Sequence, residues 1–451
     1  MMSGSIFGGV RRNIFYSLVD YVSQPGLMVL AAPTLLRHLG LEQYGVWMLV
    51  NSITATAYGL GGGFSEAATR YVSHYRGLGD GRGVARSMAA ALLINCGLGL
   101  VLVLILLIAA PALIDHVFKV APAFRYTVIV AVRISAAVLW LRVAEVVFVA
   151  AIRAFERYRP AVLVSVAARC LVVLFSLVLS YRGRGLVAIL LATLAISVGS
   201  LVAQAVGAAA VVPRTRVAFP DLVSGLREIV HFGVYTWMKS ASGAVFGYAD
   251  RLMIAGILGA TPLAYYTLCS QVTQPIPAAA AAVFNFLFPM ISARRAAGKW
   301  TEASTIYQRA SGVNAVAVCT LILLAGVAAK PGLSLWLGPD MAERCNLPFI
   351  VMMAAGGLLA LGIVPQYAAL ALGRSRALAL MNIASGFLTI GGGYLLIRRF
   401  GVLGGGLAKA VVAVVSLASF AIARSAFHEC RPAQVSDRDK IVTCEELLPA
   451  E

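Results

Sequence analysis

Long apolar stretches follow one another along almost the whole chain, separated by short polar breaks. A helix needs about 20 predominantly apolar residues to cross a bilayer. Twelve stretches reach that length, at about residues 13–36, 44–70, 84–113, 126–151, 160–181, 186–212, 229–257, 262–290, 303–329, 347–372, 377–397 and 402–423. The pattern predicts an all-α integral membrane protein with 12 transmembrane helices. Only the tail from about residue 427 to 451 is long and polar. The first stretch follows Arg11 and Arg12, as a secretory signal would. It is too long for such a signal and has no small-residue cleavage site, so an uncleaved helix is expected.

The chain also resembles itself. Leu39-Gly40 closes the first stretch and Leu258-Gly259 the seventh. Arg76-Gly77-Leu78-Gly79-Asp80 follows the second, and Ala297-Gly298-Lys299 the eighth. Phe155-Glu156-Arg157 lies between the fourth and fifth, and Leu372-Gly373-Arg374 between the tenth and eleventh. Gly185-Leu186-Val187 opens the sixth and Gly401-Val402-Leu403 the twelfth. Six spans per half is an even number, so the halves share an orientation and form parallel repeats. The expected organisation is an N-lobe over residues 1–215, a C-lobe over 216–425 and a tail over 426–451. Substrate sites in such proteins lie between the repeats near the midplane.

Hydrophobic residues make up 60% of the chain and charged residues 12%, with a net charge of +18. A nucleic-acid protein could share that charge. Here most of the basic residues fall on alternate loops, from Arg11 and Arg12 through Arg76, Arg153, Arg294 and Arg374 to Arg431. By the positive-inside rule both termini are cytoplasmic, and no nucleic-acid partner is expected. The seven cysteines show no metal spacing, so neither zinc nor a disulfide framework is suggested. The run Gly59-Leu60-Gly61-Gly62-Gly63 lacks the strand and lysine of a nucleotide loop. It predicts close helix packing, as do Gly391 to Gly393 and Gly404 to Gly406.

Ionisable groups within the spans are the first functional candidates. Each costs about 2.5–3.5 kcal/mol at mid-bilayer on insertion scales. Asp20 and Lys239 each stand 20 residues before a matching glycine, Gly40 and Gly259, so opposite charges could face each other across the cleft. Asp20 is also the candidate for coupling to protons or sodium. Arg142 and Glu145 are spaced i, i+3 and are expected to pair. Arg133 is expected to snorkel, as is Lys409 near the outer end of the last span. Arg169 is a cavity candidate. Among uncharged groups, Asn51 and Thr54 correspond to Gln271 and Gln274 at an offset of 220, and would form a wall contacting sugar hydroxyls. Tyr58, one turn beyond Thr54, suits stacking on a sugar ring. Pro25-Gly26 and Pro275-x-Pro277 mark bends.

Several motifs occur in a specific order. They are Leu39-Gly40-x-x-x-Tyr44-Gly45, Ser65-x-Ala67-x-Thr69-Arg70-Tyr71-Val72-Ser73, Gly77-x-Gly79-Asp80, Asp250-Arg251, Tyr266, Pro289-x-x-Ser292, Leu335-Trp336-Leu337-Gly338, Gly373-Arg374-x-Arg376 and Phe400-Gly401-x-x-Gly404. Together they resemble the polysaccharide flippases of the Wzx type, in the multidrug, oligosaccharidyl-lipid and polysaccharide (MOP) exporter superfamily, whose fold is MATE-like. Gly59 stands where relatives often have Asp before Leu-Gly. The resemblance implies a flippase that moves a polyprenyl-diphosphate-linked oligosaccharide from the cytoplasmic to the outer leaflet of the inner membrane, for a surface polysaccharide such as O-antigen. It implies membrane lipids, a polysaccharide polymerase and glycosyltransferases as partners, with no cofactor, metal or catalytic residue. Arg169, Lys239 and Arg142 would meet the diphosphate; Asn51, Thr54, Tyr58, Gln271 and Gln274 would meet the glycan. The alternatives are a MATE-like cation-coupled drug or metabolite antiporter, a lipid II flippase, and a membrane glycosyltransferase or polymerase.

Overall fold

The computed structural model describes residues 20, 23–213, 215 and 218–429. Among them every regular element is a helix. The order is α1 (23–39), α2 (Leu41–Gly61), α3 (Ser65–Gly77), α4 (Gly81–Ala112), α5 (Arg125–Ala154), α6 (Tyr158–Tyr181), α7 (Leu186–Ala209), α8 (Phe219–Ile257), α9 (Ala260–Thr273), α10 (Pro275–Phe284), α11 (Leu287–Ala296), α12 (Trp300–Leu337), α13 (Pro339–Ala371), α14 (Ser375–Phe400), α15 (Val402–Ser416) and α16 (Ala418–Glu429).

Nine helices among the described residues are long and apolar enough to cross a membrane. The chain is a multi-pass membrane protein. Two expected spans, 44–70 and 229–257, are helical but are not among the nine. They carry Asn51, Thr54, Thr56 and Glu66 in one case and Lys239, Asp250 and Arg251 in the other. The helices α2 and α8 pack on each other along a seam. The polar residues of α8 find partners of their own: Asp250 and Arg251 turn to groups on α9 and α15, and Lys239 lies beside Glu66 of α3. Of the expected first span, residues 13–19, 21 and 22 lie outside the described residues, and 23–36 are helical.

Helices up to α7 pack mainly among themselves, α5 against α4 and α7, and α7 against α6. From α9 onward, α13 is the hub, touching α12, α15, α10 and α16. Contacts between the two sets run through α2 with α8 and α9, and through α4 with α8. Small residues make this seam close. A Cβ on Gly45 would lie 2.0 Å from the Ala260 carbonyl oxygen, and one on Gly59 would lie 2.1 Å from the Ala244 Cβ. Gly63 packs likewise on Trp237, whose Nε1 donates to the Leu60 carbonyl at 2.7 Å. The expectation of close packing also holds at Gly393 and Gly404 to Gly406. It fails at Gly391 and Gly392, which have open space around them.

The internal repeat is visible in the backbone. Positive φ angles occur at Gly40 and Gly259, at Gly79 and Gly298, and at Gly183 and Gly401, offsets of 219, 219 and 218 residues. Glu156, the one non-glycine residue of this kind among those described, is matched by Gly373. Gly40 and Gly259 directly precede α2 and α9, which fixes the register of those helices. Asn51 therefore corresponds to Ser270 and Thr54 to Thr273, one residue away from the expected Gln271 and Gln274. One residue is about 100° around a helix, so the difference changes the face. The expected bend at Pro275 is a true break: α9 ends at Thr273 and α10 begins at Pro275, which has no N–H to continue the ladder.

The alternate helix ends that carry Arg76, Arg153, Arg294, Arg295 and Arg374 form the basic end of the bundle. At that end Asp80 caps α4, its carboxylate accepting from the Gly83 N–H at 2.9 Å. At the other end Trp336, of the Leu-Trp-Leu-Gly motif, donates to the Val29 carbonyl of α1 at 3.0 Å.

Candidate functional site

Two gatherings of charged side chains among the described residues involve groups within the expected spans. In the first, Asp20 and Ser23 come from the start of the chain, Arg153 from the end of α5 and Arg169 from α6. Arg169 donates to Asp20 Oδ1 at 2.7 Å and Arg153 to Asp20 Oδ2 at 2.6 Å. The Arg169 Nη1 also reaches the Asp20 carbonyl and the Ser23 hydroxyl, each at 2.7 Å. Two guanidiniums share one carboxylate, so the trio carries a charge of about +1. The Nε atoms of both arginines are buried without a partner among the described residues. Buried donors are normally satisfied, so this cluster retains capacity for another acceptor.

Arg142 lies on the same α5, about 18 Å from its basic end at 1.5 Å per residue. It was expected to pair with Glu145. The structure overturns this: Glu145 is buried and accepts from the Ser200 hydroxyl of α7 at 2.6 Å. Arg142 is half-buried and has no hydrogen bond or ion pair among the described residues. Tyr58 of α2 feels the charges of Arg142, Glu145, Arg169 and Arg153, and the residue is 38% exposed. Nearby on α2, Asn51 is half-buried and its amide has no hydrogen bond among the described residues. The Thr54 hydroxyl turns back to the Val50 and Asn51 carbonyls, which leaves its oxygen only acceptor capacity.

The second cluster lies among α8, α9 and α15. Asp250 is 3% exposed. It accepts from the Lys409 ammonium at 3.0 Å, from the Tyr266 hydroxyl and from the Arg251 N–H. Lys409 was expected to snorkel toward the outer interface. Instead it turns inward, because a buried carboxylate offers more than the interface can. Arg251 donates to Gln274 Oε1 at 2.7 Å and to the Ser270 hydroxyl at 3.3 Å. Gln271 faces elsewhere. Its Nε2 donates to the Tyr44 hydroxyl of α2 at 3.0 Å, across the seam, and its Oε1 is buried without a partner.

Lys239 belongs to neither cluster. Its ammonium lies 3.2 Å from Glu66 of α3, with side chains 72% and 51% exposed. The expected Asp20–Lys239 pairing is therefore not formed: symmetry-related positions are equivalent in their own halves and need not touch. Sequence reasoning also missed Arg153, whose place at a helix end reads as a loop charge. It missed the joint role of Asp250, Arg251, Tyr266 and Lys409. Two of those, Asp250 and Arg251, are adjacent charges within an apolar span, and that was the available signal.

No group of three or more His, Cys, Asp or Glu able to hold a metal occurs among the described residues. Cys430 and Cys444 lie outside them. Two surface cavities, of about 520 and 360 Å³, lie away from both clusters, one beside Phe118 and Arg125 and one beside Tyr71 and Glu228.

Solved structures share this architecture. One described as lipid II flippase MurJ in an inward closed conformation superposes with a TM-score of 0.71 at 10% identity, over 92% of this chain and 90% of that one. An inward-facing multidrug resistance MATE family transporter of the MOP superfamily gives 0.64 at 18%, over 94% and 96%. A mutant of the Vibrio cholerae MATE transporter VcmN gives 0.62 at 16%, over 94% and 98%. At these identities the likeness is one of fold. No curated protein matches the sequence. The profile described as "Polysaccharide biosynthesis protein" matches residues 10–294, more than half of the chain. With the MOP fold seen in the helices and this match in the sequence, the chain belongs to the polysaccharide biosynthesis protein family.

Proposed function

We propose that the protein is a flippase for a polyprenyl-diphosphate-linked oligosaccharide, carrying it from the cytoplasmic to the outer leaflet of the inner membrane. In this reading residues 1–215 and 216–425 are two lobes that rock about the α2–α8 seam, both termini are cytoplasmic, and the basic end faces the cytoplasm. A polar headgroup cannot cross hydrocarbon unaided, since each unsatisfied polar group costs several kcal/mol. A polar cleft between lobes removes that cost while the isoprenoid tail stays in lipid. Glycosyltransferases would supply the substrate and a polymerase would consume it.

The observation that carries this reading is Arg142. A half-buried arginine deep in the bundle, with no counter-ion among the described residues, is unfavourable unless an anion visits it. Around Tyr58 the balance is three arginines, 142, 153 and 169, against the carboxylates of Asp20 and Glu145. A diphosphate matches that excess, and arginine binds phosphate through two parallel bonds. Tyr58 and Asn51 would meet the first sugar. Gln274, held by Arg251, and Gln271 lie on the opposite side of the seam. Thr54, bonded to its own helix, contributes an acceptor only. Lys239, exposed beside Glu66, would act at the entrance.

Both Asp20 oxygens are occupied by arginines, so a coupling cation there would have to displace one. Asp20 is better suited to holding Arg153 and Arg169 in position. Moving negative charge outward down an inside-negative potential gains about 2.3 kcal/mol per charge per 100 mV, which is a sufficient drive. The test is depletion of the protein followed by lipid analysis. Accumulation of a lipid-linked oligosaccharide on the cytoplasmic leaflet supports the reading. An unchanged lipid pool with altered drug sensitivity would favour a cation-coupled antiporter.

A further inference from the structure

The seam is fastened at the basic end by a polar latch. Arg86 of α4 donates to Glu228 Oε1 of α8 at 2.9 Å, and Tyr75 of α3 donates to Glu228 Oε2 at 2.9 Å. Arg86 also donates to the Tyr75 oxygen at 2.6 Å and to the Ser224 hydroxyl at 3.3 Å. Burial, with Glu228 beside it, raises the Tyr75 phenol above its ordinary value, so it remains a donor. The Arg86 and Glu228 side chains are only 20% and 31% exposed. These are the strong, charge-assisted kind of bond. They join the first half of the chain to the second.

A cavity of about 360 Å³ opens against this latch, lined by Tyr71, Ser224, Arg227, Glu228 and His231. Glu228 is its single carboxylate, and both of its oxygens are already taken. Arg227 and His231, one helical turn apart on α8, are exposed and have no hydrogen bond or ion pair among the described residues. The Arg70 guanidinium adds a further positive charge close by, 4.0 Å over the Phe232 ring. The Arg86 Nε is buried without a partner. The pocket thus presents free donors and a positive excess directly beside a bond that an anion could compete for.

We propose that this pocket captures a phosphate-bearing headgroup, and that capture unfastens the Arg86–Glu228 latch so that the halves part at this end. The anion is gripped by Arg227 and His231, with Ser224 at its side. Its charge repels Glu228 and offers Arg86 an alternative acceptor, which breaks the cross-seam bond. An unliganded protein stays shut at this end, and the ligand itself opens the way to the deeper Arg142 site. That the phosphate belongs to a lipid-linked saccharide rests on the proposed function; the pocket and latch do not.

The test is hydrogen–deuterium exchange on the full-length protein, read over residues 71–90 and 219–232. Inorganic pyrophosphate should raise exchange in both segments together. The R227A/H231A variant should need roughly tenfold more pyrophosphate or beyond, the usual effect of losing a charge-assisted bond. Glu228→Gln should raise exchange in both segments with no pyrophosphate present. Exchange indifferent to pyrophosphate, an unchanged midpoint in R227A/H231A, or a latch still shut in E228Q would each overturn the proposal. In nanodiscs, equal loosening by phosphatidylglycerol alone would assign the pocket to bulk lipid and overturn its link to the substrate. Failure here with lipid accumulation intact on depletion would leave the flippase reading standing; unlatching with an unchanged lipid pool would do the reverse.

Discussion

Arg142 and Arg169 should respond to the same substitution with opposite signs. An arginine at a helix centre in the bilayer costs about 2.5–3.5 kcal/mol on insertion scales. Arg142 is half-buried and unpaired among the described residues, so roughly half of that, about 1–2 kcal/mol, is recovered on Arg142→Gln. Arg169 instead makes bonds at 2.7 Å to Asp20 and Ser23. Losing a charge-assisted bond costs about 1.5–3 kcal/mol, so Arg169→Gln should destabilise. An unfolding entropy of about 2.1 cal/mol/K per residue over 451 residues gives about 0.9 kcal/mol/K. The melting temperature should then rise by about 1–2 °C in R142Q and fall by about 2–3 °C in R169Q. Thermal unfolding in lipid nanodiscs, followed by tryptophan fluorescence, reads both shifts. Transport should be lost in each, so that R142Q gains stability while losing function. A fall in R142Q equal to that in R169Q would mean that Arg142 has a partner, and full transport by R142Q would remove it from the substrate site.

Three further outcomes are expected. Asp250→Ala strands the Lys409 ammonium and should cost about 3–5 kcal/mol, whereas D250A/K409A should recover more than half of that; a double variant as unstable as the sum of the singles would break the assignment of this pair. Gly45→Ala drives a Cβ into the Ala260 backbone and should lower stability by about 1–3 kcal/mol in the same melts, while Gly391→Ala, with open space around it, should raise it by about 0.5–1 kcal/mol. Asp20→Asn should lose transport at every pH and sodium concentration assayed, because it releases Arg153 and Arg169; a variant that still transports with a flattened pH or sodium dependence would make Asp20 a coupling group instead.

The fold was largely legible in the sequence, because its signals are local. Bilayer-length apolar runs are a property of contiguous residues. So is the repeat, whose Gly40 and Gly259 turns recur in the backbone 219 residues apart. The glycine run 59–63 announced close packing correctly, although its partner on α8 was not nameable. That Arg169 turns to an interior partner was also readable, since an ionisable group in an apolar span has few other places to go.

The pairing of those charges was decided only by the tertiary structure. Spacing alone set Arg142 against Glu145, but Glu145 turns to Ser200 on another helix. Symmetry suggested Asp20 opposite Lys239, yet Asp20 holds two arginines from its own half and Lys239 lies beside Glu66. Lys409 looked like an interfacial residue until α8 brought Asp250 within 3.0 Å of it. The physical reason is the same in each case. Helical periodicity fixes which face a residue occupies, and hydropathy fixes that the helix crosses the membrane. Neither fixes which neighbouring helix supplies the counter-charge, because that depends on helix order and rotation around the bundle, set by packing between segments far apart in the chain.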